Sequence, residues 1–563
     1  MKRRKLIAVL MASVLSLGLL AGCGSGSDSD SGSDSDSGSG GSESGESSNE
    51  PITLTYYNAD TNNDVWDNPV GRAITEATGV TLEISYPVGS TGDAAQDVAL
   101  MIAEGKYPDL IYAKASATNL YEAGALIDMT DLIEQYGPNI KKMYGDEFKK
   151  LKWGNGDDGI YQLSAYGVNA STLNESGTCQ IQWAVLKEND YKYPTTLAEY
   201  EKMIKDYLAA HPTTENGLET IGISMSASDW HWMITLGNPA GFIADAQPDN
   251  GQWIIDENYQ CHYKHQTEEE KEYFKWLSRM YDEGVLDPQF DTQTDEDYIA
   301  KLSNGQVLAI TDSLWHYAYG AHVALKQAGM LDKTYAGLPV TLREDQKAPT
   351  LQYQGLQVGW GIAISSSCKD PVRAIKFLDY ICSDEGAVLY RWGIEGENYE
   401  LDENGIRYRP QEEIDKSKSD PDYSKKTGIG NYQGFPIWGD GAEDENGNPY
   451  TPTTRASIIE QYNEEQQAAC KAWGVEMVTD IFPQPDEFPS LPYSALWAYQ
   501  IPQELSNAEA LLNEIAWPGL VKCVKGGEAN FDANWDAMVA EMEANGLRDT
   551  EKMMTEFLAD KIN

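Results

Sequence analysis

The first part of the chain after residue 50 alternates strand-like and helix-like patterns of hydrophobic residues. Apolar and polar positions alternate in ITLTYYNA, which is typical of a half-buried strand, and VTLEISYP and DLIYA predict two further strands. Between them, Val70 and Ile74 share one helical face, and so do Val98 and Ile102. This strand–helix order predicts a mostly parallel sheet with right-handed crossovers, and hence an α/β fold.

Later segments carry clear helix signals. Thr196 with Glu199, and Thr267 with Glu270, fit the T-x-x-E capping box before amphipathic stretches. Pro371 stands in the first turn of a further amphipathic helix, and GQVLAIT predicts a buried strand. The stretch 393–454 is polar and loop-rich, whereas the C-terminal segment is helical in pattern.

The N-terminus has the pattern of an export signal. Four basic residues, Lys2 to Lys5, precede an apolar run that ends at Ala21. The sequence Leu20-Ala21-Gly22-Cys23 resembles the lipobox of bacterial lipoproteins, which implies a signal peptide over 1–22 and a diacylglycerol thioether on Cys23. Residues 23–50 then form a Ser/Gly/Asp/Glu tether that contains no core-forming residues and is expected to be disordered.

The charge composition of the chain limits the classes of molecule that it can bind. The chain has 89 acidic and 42 basic residues, a net charge of −47, which argues against nucleic acid and against polybasic docking on anionic lipid. An uncharged or cationic partner fits better. The roughly 510 residues after the tether exceed a single hydrophobic core, so we expect at least two lobes.

Signals for catalysis and cofactors are weak. The six cysteines after Cys23 form no CxxC pair, and the chain has no G-x-S-x-G, H-E-x-x-H or P-loop motif. CHYKH, from Cys261 to His265, lacks further nearby metal ligands and is interpreted as a surface hairpin. DENG at 402–405 and DENGN at 444–448 are interpreted as turns. We therefore expect no cofactor, no metal and no enzymatic activity.

Several stretches, in order along the chain, resemble the family 1 extracellular solute-binding lipoproteins of bacterial sugar ABC importers, relatives of the maltose-binding proteins. The stretches are ALMIAEGKYPDLIYA, LYEAGALIDMTDLIEQYGPNIKK, YPTTLAEYEKMIKDY, MYDEGVLDPQF, AIKFLDYICSDEGAVLYRWGIEGENYELDENG and the helical tail. The resemblance implies a two-lobed periplasmic-binding-protein fold of type II, with a hinge between the lobes. It places lobe 1 at 51–168 plus 304–358, lobe 2 at 169–303 plus 359–500, and C-terminal helices at 501–563.

The resemblance also implies where a ligand binds. Many relatives carry a calcium loop after the helix that follows PTTL, but here His211 replaces its leading Asp and carboxylates are sparse, so we expect that site to be lost. In the family, the residue after the GQVLAIT strand returns an aromatic ring to the cleft, which favours Trp315. The other candidate binding residues are Trp230, Trp232, Trp183, Trp360, Trp392, Tyr112, Asp60 and Asn62.

Aromatic rings and carboxamide or carboxylate groups suit a sugar, because rings cover its apolar faces and polar groups satisfy its hydroxyls. An indole in a large domain more often packs than binds, so for Trp230 and Trp232 both interpretations stay open. The resulting hypothesis is a monomeric receptor, lipid-anchored on the extracytoplasmic face, that delivers a neutral oligosaccharide to ABC permease subunits. The alternatives are a cell-surface glycoside hydrolase with an acid pair and an adhesin without a transporter.

Overall fold

The computed structural model describes residues 50–60, 65–87, 94–154, 156–432 and 434–562. The predicted signal peptide, the lipidation site Cys23, the tether up to residue 49 and the candidate Asn62 lie outside these described residues.

Fifteen strands are present in the described part of the chain: β1 (Ile52–Asn58), β2 (Val80–Ser85), β3 (Leu110–Tyr112), β4 (Leu163–Ser164), β5 (Gly167–Val168), β6 (Cys179–Gln182), β7 (Ile221–Ile223), β8 (Trp253–Ile255), β9 (Cys261–Tyr263), β10 (Val307–Thr311), β11 (Tyr335–Leu338), β12 (Gly361–Ile364), β13 (Glu400–Leu401), β14 (Arg407–Tyr408) and β15 (Ile437–Trp438).

The α-helices of the same part are α1 (Pro69–Thr78), α2 (Ala95–Glu104), α3 (Ala117–Glu122), α4 (Thr130–Tyr136), α5 (Pro138–Tyr144), α6 (Trp183–Glu188), α7 (Leu197–Ala210), α8 (Asn238–Ile243), α9 (Glu268–Asp282), α10 (Asp295–Ser303), α11 (Leu314–Tyr317), α12 (Val323–Gln327), α13 (Pro371–Cys382), α14 (Asp384–Trp392), α15 (Gln411–Ser419), α16 (Tyr423–Thr427), α17 (Arg455–Glu460), α18 (Glu464–Trp473), α19 (Gln503–Lys525), α20 (Glu528–Ala544) and α21 (Leu547–Ile562).

The first sheet contains five strands in the order β2-β1-β3-β12-β4. β1 pairs in parallel with β2 and with β3, so the predicted strand–helix alternation over this segment is confirmed. β12 runs antiparallel to β3 and to β4. The helices α4, α5, α13 and α14 pack in the same half of the molecule, where α13 contacts α4 and α5 and α14 contacts α1.

The second sheet contains four strands in the order β11-β6-β10-β7, which shows that the predicted division between the lobes is wrong for two segments. β10 and β11 were expected in lobe 1, within 304–358, but both pair with β6 of the other sheet. β12 and the helices α13 and α14 were expected in lobe 2, within 359–500, but β12 pairs with β3 of the first sheet and the two helices pack in the same half of the molecule. The reason is that the chain returns to the first sheet only after β11, across residues 339–360.

The two predicted capping boxes, at Thr196 and Thr267, are each half formed. Thr196 and Thr267 each accept a hydrogen bond from the backbone N–H three residues on, at 3.3 and 3.1 Å, as a cap should. The reciprocal half of the box is absent: Glu199 binds Thr195, and Glu270 instead reaches His265 Nδ1 at 2.8 Å. The side chain of Glu270 therefore pairs with His265 in the tertiary structure and does not cap the N-terminus of its own helix.

The predicted hairpin at CHYKH exists as β8 and β9, but its prediction as a surface element is wrong. Lys264 and His265, which follow β9, are both fully buried, because helix α21 packs on β9. The Nζ of Lys264 donates to the carbonyl oxygens of Asn238 (side chain, 2.8 Å) and Gly251 (backbone, 2.6 Å). The C-terminal helices therefore cover this hairpin.

Two further findings concern the described residues. None of their helices combines the length and apolarity needed to cross a bilayer. The six cysteines after Cys23 are all free thiols.

Candidate ligand-binding cleft

Two sheet edges face each other because the chain crosses between the same two edges twice. It leaves the first sheet at the carboxyl end of β4 and enters the second at the amino end of β6; it returns from the carboxyl end of β11 to the amino end of β12. The carboxyl ends of β1 and β3 lie at the first edge, and those of β7 and β10 at the second. Ligands of open α/β sheets bind outside such edges.

At the second edge, two indoles are exposed side by side. Trp230 follows β7 and is 50% exposed, and Trp315 follows β10 and is 53% exposed. Their ring centroids lie 6.3 Å apart and their planes differ by only 5°. Tyr319, one helical turn beyond Trp315, is even more exposed. A contiguous group of exposed large aromatic side chains marks an interaction surface, whereas exposed apolar residues scattered singly need no explanation.

Each exposed indole precedes a π-helical turn. Met233–Gly237 follows Trp230, and Ala318–His322 follows Trp315. Single π turns inside helical segments are rare and frequently occur at functional sites. The extra residue in each turn changes the direction of the side chains that follow, so both segments depart from regular helix at the sheet edge.

A network of histidines and aspartates supports these indoles. His316 Nδ1 lies 2.8 Å from Asp312 Oδ2, and His316 Nε2 lies 2.9 Å from Asp295 Oδ1. The imidazole of His231 stacks on that of His316, with centroids 4.6 Å apart, and its Nδ1 lies 2.6 Å from Asp229 Oδ1. The indole of Trp230 lies against His231, at 4.0 Å between ring centroids.

The contacts within this network shift the pKa values of His316, Asp295 and Asp312. Burial disfavours the charged form of His316, but hydrogen bonds to Asp295 and Asp312 outweigh it and raise its pKa to about 10. Burial also opposes ionisation of Asp295, yet the hydrogen bond and charge of His316 bring the pKa of Asp295 below its usual value. The pKa of Asp312 is raised, because this carboxyl is completely buried.

The first edge carries a different arrangement. Asp60 follows β1 and forms an ion pair with Lys114, which follows β3. The Nζ of Lys114 also lies 5.9 Å from the ring centroid of Trp360, just before β12. Lys114 has a φ of 50°, in the left-handed region that a side chain with Cβ rarely adopts. Strained residues of this kind concentrate at binding sites.

Trp360 is half-buried in an aromatic group with Tyr166 and Trp497, whose centroids lie 6.3 and 6.5 Å from its own. A cavity of about 460 Å³ opens beside it, lined by residues of the first-sheet side, of the β8 region and of the segment before α19. They include Asn119, Trp253 and Gln503. The lining does not include Trp230 or Trp315, which lie on open surface.

Four candidates are buried side chains that pack inside the protein in this structure, and their role as ligand contacts stays a prediction. Trp183, Trp232 and Trp392 are at most 3% exposed. Trp183 packs on Trp473 and Trp232 stacks on Trp517, while Trp392 Nε1 donates to the carbonyl of Pro449 at 3.0 Å. Tyr112 is buried at the carboxyl end of β3, and burial raises its pKa above its ordinary value.

The structure thus brings Trp230 and Trp315 together at one edge, and Asp60 and Trp360 at the other. Sequence reasoning missed the residues that surround them: Tyr166, Trp497, Asp295, Asp312, His316 and Tyr319. Asp312, His316 and Tyr319 had a signal, because all three lie within four residues of Trp315 in the chain.

Acidic turns and a cluster of histidine and carboxylate side chains offer potential metal ligands in the described residues. The predicted turns at Asp402 and Asp444 each accept two backbone N–H bonds, at 2.8–3.0 Å, so they act as Asx turns. Glu215 and Glu219, the carboxylates of the stretch 211–222 where many relatives carry a calcium loop that this chain was expected to have lost, are both exposed. The cluster in these ranges with suitable ligand spacing is formed by His231, Asp295 and His316.

Known proteins share this architecture. An alginate-binding protein, AlgQ2, solved without calcium ion, aligns with a TM-score of 0.62 at 17% identity over 91% of this chain and 98% of its own. The Streptococcus pneumoniae ABC-transporter substrate-binding protein FusA, in complex with kestose, gives 0.63 at 18% identity over 90% and 98%. An extracellular solute-binding protein from Bifidobacterium longum subsp. infantis gives 0.67 at 14% identity over 91% and 99%.

A curated relative, an uncharacterized protein in the butB 5′ region of Niallia circulans, is 26% identical over 130 residues, which are 23% of this chain. The match spans about half the length of that relative, 49%. The family model described as "Bacterial extracellular solute-binding protein" matches residues 70–393, more than half of the chain. With the two-lobed fold and its facing edges, this match establishes that the chain belongs to the bacterial extracellular solute-binding proteins.

Proposed function

We propose that this protein captures a carbohydrate between its two lobes and delivers it to the permease subunits of an ABC importer. The observation that carries the proposal is the parallel, half-exposed pair Trp230 and Trp315 at the edge of the second sheet. A pyranose has apolar faces that suit such rings, and indoles left exposed without a ligand are otherwise unfavourable.

Groups that bind hydroxyls lie at the opposite edge. Asp60 and Lys114 already compensate each other's charge, so this edge offers polar atoms without an excess of positive charge. Together with a net charge of −47, this favours a neutral sugar over an anionic one. Asn62 is proposed as a further hydroxyl partner.

Structural neighbours support the carbohydrate class. The FusA relative is described in complex with kestose, and AlgQ2 is described as alginate-binding. Because these neighbours are only 17–18% identical to this chain, their similarity supports the fold. The proposal of a sugar ligand rests on the exposed pair Trp230 and Trp315.

The mechanism we propose is closure of the two lobes about the crossover segments 165–178 and 339–360. A ligand bound first on the indoles of the second edge would gain contacts with Asp60 and Trp360 when the edges approach. It would thereby bind the closed state more tightly than the open one and shift the population towards it. No covalent chemistry is required, and the protein is proposed to be a monomeric binding protein rather than an enzyme.

We further propose that Cys23 carries a lipid and that residues 24–50 tether the folded part to the extracytoplasmic membrane face. The acidic tether would keep the receptor close to its permease at a high effective concentration. Radiolabelled palmitate should be incorporated into the chain and lost in Cys23→Ala; incorporation that persists in the variant would contradict the anchor.

The decisive experiment is a titration with neutral mono- and oligosaccharides, followed by intrinsic indole fluorescence and calorimetry, with chromatographic analysis of the sugar afterwards. Binding with the sugar unchanged supports a receptor. Release of new reducing ends would favour a glycoside hydrolase instead, and absence of binding to all members of the panel would contradict the proposal.

A matched pair of variants tests the site. Trp230→Ala with Trp315→Ala in one chain should abolish the fluorescence response and measurable binding. Tyr408→Ala removes a similarly exposed aromatic ring of strand β14, which pairs with β13 in a sheet separate from the two large ones, and should bind as the unsubstituted chain does. Equal affinity in both variants would rule out the indole pair as the binding surface.

A further inference from the structure

The cluster beneath the indole pair has the composition and spacing of a transition-metal site. One ring nitrogen each of His231 and His316 and one carboxylate oxygen of Asp295 all lie within 4.8 Å of one another. His316 Nε2 is 2.9 Å, and His231 Nδ1 3.9 Å, from Asp295 Oδ1. Ligand atoms around a tetrahedral zinc ion are about 3.3–3.6 Å apart, given bonds of about 2.0–2.2 Å.

The three residues come from separate parts of the chain but are fixed by the same sheet edge. His231 follows β7, His316 lies in α11 after β10, and Asp295 begins α10. Asp295 is also held by the hydroxyl of Ser226, which donates to its Oδ1 at 3.1 Å. The ligand atoms are therefore positioned before any ion arrives.

The surroundings match those of a metal-binding histidine. His316 directs its second nitrogen, Nδ1, at the buried carboxylate of Asp312, 2.8 Å away. Asp312 is itself fixed, because the hydroxyl of Tyr298 and the backbone N–H of Ser313 both donate to it. A carboxylate behind the imidazole sets the tautomer and raises the basicity of the ligating nitrogen, as in most protein metal sites.

Charge and access also suit a cation. Asp229, Asp295 and Asp312 place three carboxylates around two imidazoles, so the carboxylates outnumber the positive charge whether or not His316 carries a proton. Asp295 and His231 are partly exposed, at 26% and 13% of their side chains, so an ion can reach them. Asp229 is half-exposed and can turn aside, or join as a further ligand, when His231 Nδ1 releases its hydrogen bond.

We propose that His231, His316 and Asp295 bind one divalent transition-metal ion of the zinc class, directly beside Trp230 and Trp315. Two imidazoles and one carboxylate are a common ligand set for such ions, and the remaining coordination positions are left to solvent or to a ligand oxygen. Binding replaces the hydrogen bond between His316 and Asp295 and releases its proton to solvent.

The test uses the full chain, expressed without a histidine tag and freed of metal with a chelator. Titration with ZnCl₂ by calorimetry should give one site per chain, and CoCl₂ should produce the visible absorption of a low-symmetry cobalt site. His231→Gln and Asp295→Asn should lose both signals. Asp312→Asn, which only removes the support behind His316, should lower zinc affinity by about 10–100-fold.

His211→Gln is the matched control, because His211 forms a similar pair with Glu188, 2.7 Å away on the exposed surface. It should bind zinc as tightly as the unsubstituted chain, and thermal unfolding should show that every variant is folded. Zinc binding that is absent from the unsubstituted chain, or that survives in both His231→Gln and Asp295→Asn, would overturn the proposal. These outcomes do not depend on whether the protein binds a sugar.

Discussion

The two facing edges hold their aromatic and charged side chains in different ways. At the second edge, the indoles of Trp230 and Trp315 are open to solvent, and the charged network beside them is centred on the buried pair of His316 and Asp312. At the first edge, Trp360 is half-buried against Tyr166 and Trp497, and the charges of Asp60 and Lys114 are both partly exposed. The second edge is thus a preformed apolar surface, while the first is a polar surface whose groups bind each other.

This difference indicates a division of roles. Rigid, exposed rings lose little entropy when a ligand covers them, so the second edge is suited to initial capture. The ion pair of Asp60 and Lys114 remains partly exposed, at 21% and 27% of the two side chains. A pair in contact with solvent adds little to stability, so the first edge can exchange this contact for contacts with ligand hydroxyls at small cost.

The largest expected effect distinguishes the fully buried Asp312 from the partly exposed Asp60. Asp312→Ala removes the acceptor of His316, Tyr298 and the Ser313 backbone in a fully buried position, and should lower the free energy of unfolding by about 3–5 kcal/mol. Urea denaturation measures this. Asp60→Ala at the other edge is the comparison and should cost no more than about 1 kcal/mol. Equal losses in the two variants would remove the contrast between the edges.

The next effect concerns ligand affinity. Trp315→Ala should weaken sugar binding by about 1–3 kcal/mol, by analogy with the loss of stacking on nucleic-acid bases, since its ring is free to cover a sugar face. Trp360→Ala should weaken binding less, because this ring already contacts Tyr166 and Trp497. Calorimetric titration of both variants with the same sugar decides the order. A larger loss in Trp360→Ala would assign initial capture to the first edge instead.

The smallest effect tests the exchange of partners at the first edge. Lys114→Met removes the cation from Asp60 and should change the free energy of unfolding by less than about 1 kcal/mol. Because Asp60 is then free to accept sugar hydroxyls, affinity should stay within about tenfold of the unsubstituted chain. A loss of binding as large as that in the indole variants would mean that Lys114 itself holds the ligand.

Trp230 and Trp232 show the limit of sequence-based prediction. They are two residues apart in one stretch, and both were candidates, yet one is half-exposed and the other stacks on Trp517 of helix α19. The difference is made by a helix that begins about 270 residues later in the chain. No local pattern around Trp232 carries that information.

Local physical chemistry determined much of the fold from the sequence alone. Hydrophobic periodicity sufficed to place β1, α1, β2 and β3, because strand and helix periods are properties of neighbouring residues. The caps at Thr196 and Thr267 followed from the same short-range rules. The resemblance to a solute-binding family could also be recognised from successive stretches of the sequence alone.

Only the tertiary structure decided which strands share a sheet and which polar groups meet. β10 and β11 join the second sheet although sequence order allowed either, because strand pairing depends on how crossovers close over long separations. His231, Asp295 and His316 come together for the same reason: they follow or flank strands whose carboxyl ends share one edge. Burial and charge pairing are properties of that three-dimensional neighbourhood, and they set which side chains remain free to bind.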